Sequence, residues 1–205
     1  MRCLILGLAA TLLAAPVLAD RFPNMVPTHD VSGTYLITGK SSPQTLTVEY
    51  SKSANILRVN PPAQGGYILY DFATKDAKMV LPQMQRYMDE SQVANAVASQ
   101  AQGGGGNGDA VSITTSGTET IAGHECTDYL ATDSTKGTSS TICITADGVI
   151  LSMLSSDGNK IVAQTISYDA VPAADVQVPP SFTLFAMPQL PAGMGGMGNM
   201  PMPNQ

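Results

Sequence analysis

Alternation of apolar and polar positions, with a period of two, dominates the chain. Residues 44–50 (QTLTVEY) place Leu46, Val48 and Tyr50 on one side and Thr45, Thr47 and Glu49 on the other. Residues 67–72 (YILYDF) do the same with Ile68, Tyr70 and Phe72. Segments of this period, broken by Gly, Pro and Ser, predict antiparallel strands. The same reading gives strands at 34–39, 55–59, 78–81, 111–115, 124–132, 139–145, 149–154 and 160–168. Asp147-Gly148 and Asp157-Gly158 are tight-turn signals between the later ones. Residues 179–183 (PPSFT) close the series.

One helix interrupts the strands, at about 89–102. Asp89 is placed to cap it, with Gln92 three residues on, and Val93, Val97 and Ala101 share one stripe. The glycines of 103–108 end it in a loop. Met84 and Met88, in QMQRYM, read as packing against or flanking the helix.

The two ends have other patterns. Residues 1–19 read as a signal peptide: Arg2, an apolar run to Ala15, then small residues Val17 and Ala19 before the cut. The run is shorter than the roughly 20 residues that span a bilayer, and no cysteine follows it to carry lipid. Residues 20–30 are a Pro-containing, extended lead-in to a single domain, 31–186, with no transmembrane segment. Residues 187–205, rich in Met, Gly and Pro, lack periodicity and read as a disordered tail. The chain is therefore expected outside the cytoplasm, periplasmic or secreted.

Charge and cysteine usage agree. The chain holds 10 basic and 16 acidic residues; loss of Arg2 with the leader leaves a net charge of −7. Such a surface repels phosphate backbones, which argues against nucleic acid as a partner. Cys3 leaves with the leader, so Cys126 and Cys143 remain and most simply form a disulfide in an oxidising compartment. Were the two directly opposed in the hairpin of 124–132 and 139–145, His124 would face Thr145 and Asp128 would face Thr141. The disulfide would then lie on a polar, outward face. Tyr129, Thr127, Ile142 and Ile144 would point inward.

Chemistry-bearing motifs are scarce. G-x-S-x-G, H-E-x-x-H and C-x-x-C are absent, and His29 and His124 have no converging partners in sequence. Gly39-Lys40-Ser41 is followed by Pro43 and a strand, not by the helix a phosphate loop needs. The pattern thus argues for no enzyme and no catalytic residue. The tail is the one suggestive constellation. Met194, Met197, Met200 and Met202 offer soft thioethers that prefer Cu(I), which makes a copper-binding or copper-stress protein one alternative function. Otherwise no cofactor is expected.

The succession of segments resembles an uncharacterised family of bacterial exported proteins, a domain of unknown function that shares the half-barrel fold of the LolA/LolB lipoprotein carriers. The residues that carry the likeness are TLTVEYSKSANILRV, GYILYDFATKDAKMVLPQMQRYM, TIAGHECTDYLAT, TICITADGVILSM and ISYDAVPAADVQVPPSF, across about 31–183. The cysteine pair, the Asp-Gly turn and a final P-x-x-F recur in that family in this order. The likeness implies a mainly β fold: a strongly curved antiparallel sheet with one helix on its concave side. It also implies a non-catalytic carrier of an apolar ligand, a lipid or acyl group. Leu46, Val48, Tyr50, Ile68, Tyr70, Phe72, Ile142 and Ile144 are the candidates to line its site, although alternating apolar faces also simply pack. A passive envelope protein docking on an unknown partner is the remaining alternative. N-terminal sequencing of exported protein should begin at Asp20; a mature chain that retains Met1 would refute the leader.

Overall fold

The computed structural model describes residues 23–40, 42–62, 65–92 and 111–185. Among the described residues twelve strands form one sheet. In chain order they are β1 (Val31–Thr38), β2 (Gln44–Ser51), β3 (Ile56–Asn60), β4 (Tyr67–Asp71), β5 (Ala77–Leu81) and β6 (Arg86–Asp89). After them come β7 (Val111–Ile121), β8 (His124–Asp133), β9 (Thr138–Ile144), β10 (Ile150–Ser155), β11 (Lys160–Ser167) and β12 (Thr183–Leu184). Their order across the sheet is β12-β6-β5-β4-β3-β2-β1-β11-β10-β9-β8-β7. Nearly every neighbour is joined antiparallel. β12 instead lies parallel to β6, with Thr183 beside Arg86 and Leu184 beside Tyr87. The mainly β, curved-sheet expectation holds.

The two halves of the sheet differ in regularity. From β1 to β6 the pairing runs without a register shift. In the other half, β1/β11, β9/β10 and β7/β8 each contain a bulge, at Thr34/Tyr35, Ile150/Ser152 and Thr115/Gly117. A bulge adds twist and bends its strand. Three of them roll this half up until β7 touches β11, four places away in the sheet. Across the roll, the His124 ring meets the edge of Tyr168 at 5.3 Å.

The roll overturns the outward-facing disulfide. Cys126 and Cys143 are joined, with Cα atoms 5.4 Å apart, but the hairpin register is two residues off the expected one. Asp128, not Cys126, lies opposite Cys143, so the bridge is diagonal. Instead of facing solvent, the two cysteines are 2% and 0% exposed, in a core with Val31, Tyr35, Tyr50, Val149, Leu151 and Ala163. A flat hairpin would have left that face polar and wet; curling closes it. Ile142 and Ile144 are buried too, so both sides of β9 are covered at this end.

Turn chemistry follows the glycines. The Asp147-Gly148 loop is closed by Thr145 N–H to Val149 O at 2.9 Å, with Gly148 at φ +91°. A Cβ at Gly148 would sit 2.7 Å from the carbonyl oxygen of Val26, so the lead-in can pass only over glycine. The lead-in is accordingly tied down: Thr28 N–H donates to Asp147 O.

A second core lies on the opposite face. After β11 the chain crosses β2–β5 as a strap. Val171 and Val176 are buried there against Tyr67, Leu69 and Val80. Asp30 accepts from the N–H groups of Lys52 and Val171, and Ser51 Oγ donates to Val171 O at 2.9 Å. Arg58 stacks 4.0 Å over the Tyr67 ring and donates to Asp175 O. The strap ends as β12.

The segment QMQRYM lies just ahead of the expected helix. It forms a 3-10 turn, Pro82–Met84, and then β6, so Met88 lies in a strand. Asp89 accepts from Ser91 N–H at 2.9 Å, and Ser91 and Gln92 are helical. The rest of the expected helix, the Gly-rich loop, the leader and the tail lie outside the described residues.

Because the disulfide is part of the core, its loss removes packing as well as a loop constraint. Thiol labelling of oxidised, folded protein should find no free cysteine at 126 or 143. Cys126→Ser should cost about 2–5 kcal/mol and lower Tm accordingly. An unchanged Tm would contradict the buried bridge.

Candidate functional site

Register decides which side chains share a face. Val48 lies opposite Val59, Val59 opposite Ile68, Ile68 opposite Met79, and Met79 opposite Met88. This unbroken apolar ladder crosses five strands. Beside it runs a second row, in which Val31 faces Tyr50, Tyr50 faces Leu57, Leu57 faces Tyr70 and Tyr70 faces Ala77. The two rows share one face, and across β1–β6 that face carries one charged residue, Arg86, at its outer edge. The reverse face carries Glu49, Arg58, Asp71, Lys78 and Asp89.

The apolar face is the concave one. Val31, Tyr35 and Tyr50 pack in the same core as the disulfide, on the inside of the roll. Toward β6 the packing thins. Val59, Ile68, Tyr70, Met79 and Met88 are half-buried and, among the described residues, belong to neither core. Tyr70 meets Phe72 edge to face at 5.0 Å, and Phe72 meets Tyr50 in the same way at 5.8 Å. The half-barrel thus has a closed, packed end and a more open apolar end.

The structure brings Leu46, Val48, Tyr50, Ile68 and Tyr70 onto this face, with Phe72 packing at its margin. It separates Ile142 and Ile144 from them. Those two lie on β9, six places along the sheet from β4, and alternate against Cys143. Leu57, Val59, Met79 and Met88 escaped the sequence reading. Met79 was hidden in a run of three consecutive apolar residues, Met79-Val80-Leu81. Met88 was hidden because QMQRYM has no clean period of its own.

Other features hold less chemistry. His29 Nδ1 meets Thr28 Oγ1 at 3.0 Å, and His124 meets only the Tyr168 ring in the contacts described above. Among the described residues no three His, Cys, Asp or Glu side chains cluster as a metal site. A groove of about 270 Å³ opens on the reverse face beneath the strap, floored by Ile56, Leu69 and Val176 and rimmed by Asp71, Asp76 and Lys78. Its polar rim and shallow floor suit it less to an apolar ligand than the concave ladder does.

Tyr35, 9% exposed, marks how dry the closed end is, whereas Tyr168 lies at its exposed rim. Burial, with the charge of Tyr168 adding to it, pushes the Tyr35 phenol up to about 12; Tyr35 Oη donates to Ile150 O at 2.9 Å. Tyr168 is pushed up to about 12 by burial and by a hydrogen bond to Asp147.

No family model matches the sequence, and no curated protein sequence matches it. Solved structures do. A chain of the crystal structure of MucB in complex with MucA(peri) is 14% identical, with a TM-score of 0.51, over 80% of this chain and 59% of that one. An uncharacterized conserved protein from Thermus thermophilus is 10% identical, with a TM-score of 0.52, over 77% and 90% of the two chains. The fold is shared. This chain spans about six-tenths of the MucB-complex chain it matches. A LolA superfamily protein, NE2245 from Nitrosomonas europaea, overlaps more loosely, at a TM-score of 0.36 and 13% identity over 74% and 91%. Among the described residues no helix is long and apolar enough to cross a membrane.

Both raised phenols must stay protonated in the folded state. Their contribution to stability is present in full below the unfolded value near 10 and is lost as pH rises from there through 12. In a near-ultraviolet phenolate titration, Tyr35→Phe should remove one of the last groups to ionise before unfolding. If it removes a group that titrates near 10, the closed end is wetter than described.

Proposed function

We propose that this is a non-catalytic, exported binding or carrier protein that holds an apolar ligand, a lipid or acyl chain, against the concave face of its half-barrel. The observation that carries the reading is the contrast between the two faces of β1–β6. One has a single charge and a half-buried apolar ladder, while the other is polar and strapped. An apolar surface of that kind, left outside the packed cores, favours an apolar occupant, because removing it from water is worth about 25 cal/mol per Å². The disulfide suits an oxidising compartment, and the leader-like start suits export to the periplasm with cleavage after Ala19.

Ile68 sits at the centre of the ladder, on β4. A polarity-sensitive fatty-acid probe should bind the wild-type chain, and Ile68→Glu should weaken binding at least about tenfold, because a carboxylate there must be desolvated by an apolar chain. Far-ultraviolet circular dichroism should show the sheet retained. A folded wild-type protein that binds neither probe nor co-purified lipid would overturn the proposal. Capture of an extended peptide in place of the lipid would do so too, and would turn the reading toward protein docking, as in the MucB complex with MucA(peri).

A further inference from the structure

The one charged side chain on the concave face of β1–β6 stands where the apolar ladder stops. Arg86 is two residues before Met88 on β6 and on the same face, about 6–7 Å along the strand from the last rung. Leu81 lies directly opposite it on β5. The guanidinium sits over the ring of Phe185, 5.7 Å from the ring centroid. A cation over an aromatic face at that distance is held without spending its N–H groups. Arg86 is exposed, and among the described residues it makes no ion pair and no side-chain hydrogen bond. Arg58, on the reverse face, is the contrast: Glu49, Asn60 and Asp175 O all engage it.

A charged residue can guard an open sheet edge, but β12 pairs with β6 at Arg86 itself. The chain has 16 acidic and 10 basic residues, yet the charge on this face is basic. From Val48 to Met88 the ladder crosses five strands, about 19 Å at the usual spacing between strands, which is the length of a long acyl chain. An acyl chain laid along it has its head group at one end. At the β2 end the face runs into the packed core of Val31, Tyr35 and Tyr50; at the β6 end it meets Arg86. The planar guanidinium fork matches a carboxylate through two parallel N–H···O bonds.

We propose that Arg86 anchors the head group of the concave-face ligand and that this ligand is a fatty acid, its carboxylate on the guanidinium and its chain across Met88, Met79, Ile68 and Val59 toward the closed end. The proposal rests on the apolar-ligand reading and adds a charge and a direction to it. One cation balances the single negative charge of a carboxylate. A phosphate monoester carries nearly two and would leave an excess on an already acidic protein.

Hexadecanoate and hexadecanol share a chain and differ in charge, so the pair isolates the head group. In displacement of the fatty-acid probe, wild-type protein should bind hexadecanoate at least about tenfold more tightly than hexadecanol. Arg86→Gln should bring the two within about twofold by weakening hexadecanoate alone, and added salt should shrink the wild-type preference because the anchor is exposed. In wild-type protein the Arg86 Nε–H NMR signal should move with hexadecanoate and not with hexadecanol, a readout that needs no variant to fold. Equal binding of the two by wild type, a preference that survives Arg86→Gln, or an unmoved signal would overturn the anchor while hexadecanol binding left the apolar site standing. Tighter binding of hexadecyl phosphate than of hexadecanoate would overturn the fatty acid in favour of a phosphate head. Binding of none of the three would overturn the apolar-ligand reading and the anchor with it.

Discussion

A six-strand sheet face with one charged residue cannot lie flat against water, and the rest of the structure follows from hiding it. Burying apolar surface is the main favourable term in folding, and a single layer of strands has nowhere to bury both faces. This chain bends the layer upon itself at one end. The bulges at Thr34/Tyr35, Ile150/Ser152 and Thr115/Gly117 concentrate twist in the half that contains β7–β11, and the bend seals the disulfide, Leu151 and Tyr35 inside. The β3–β6 half has no bulge, stays regular, and keeps its apolar ladder only half-buried. Closed and open ends are two consequences of where the register slips.

The reverse face is managed by a different device. Its charged residues would tolerate water, but Tyr67, Leu69 and Val80 would not, and the strap from β11 to β12 covers them. The strap is held by groups that would otherwise be orphaned. Asp30 and Ser51 satisfy both backbone atoms of the buried Val171, and Arg58 satisfies Asp175 O while its guanidinium lies over Tyr67. The same strap then pairs with β6 and closes an edge that would otherwise invite another strand. The concave ladder thereby remains the half-buried apolar face, while the reverse face is committed to internal packing.

Sequence and structure agree wherever a local rule decides the outcome. Period-two alternation found β2, β4, β8, β9, β10 and β11 within a residue or two, because side-chain direction in a strand is fixed by the backbone alone. Pairing of Cys126 with Cys143 followed from their being the last two cysteines. The face shared by Leu46, Val48, Tyr50, Ile68 and Tyr70 was legible for the same reason, since adjacent antiparallel strands that each alternate need only the correct register parity.

Three things belonged to tertiary structure. The disulfide's burial depended on a curl made by bulges, and a bulge is one extra residue whose position is set by packing on both sides. β6 and β12 are short edge strands that exist because each pairs with a neighbour, so their own four and two residues carry little pattern. Ile142 and Ile144 shared the alternation of the other candidates, yet β9 lies in the rolled half and the ladder in the open one. Alternation specifies which way a side chain points from its own strand. Which strand stands opposite, and whether the sheet has turned back by the time the face meets another, is decided by long-range pairing that no local window contains.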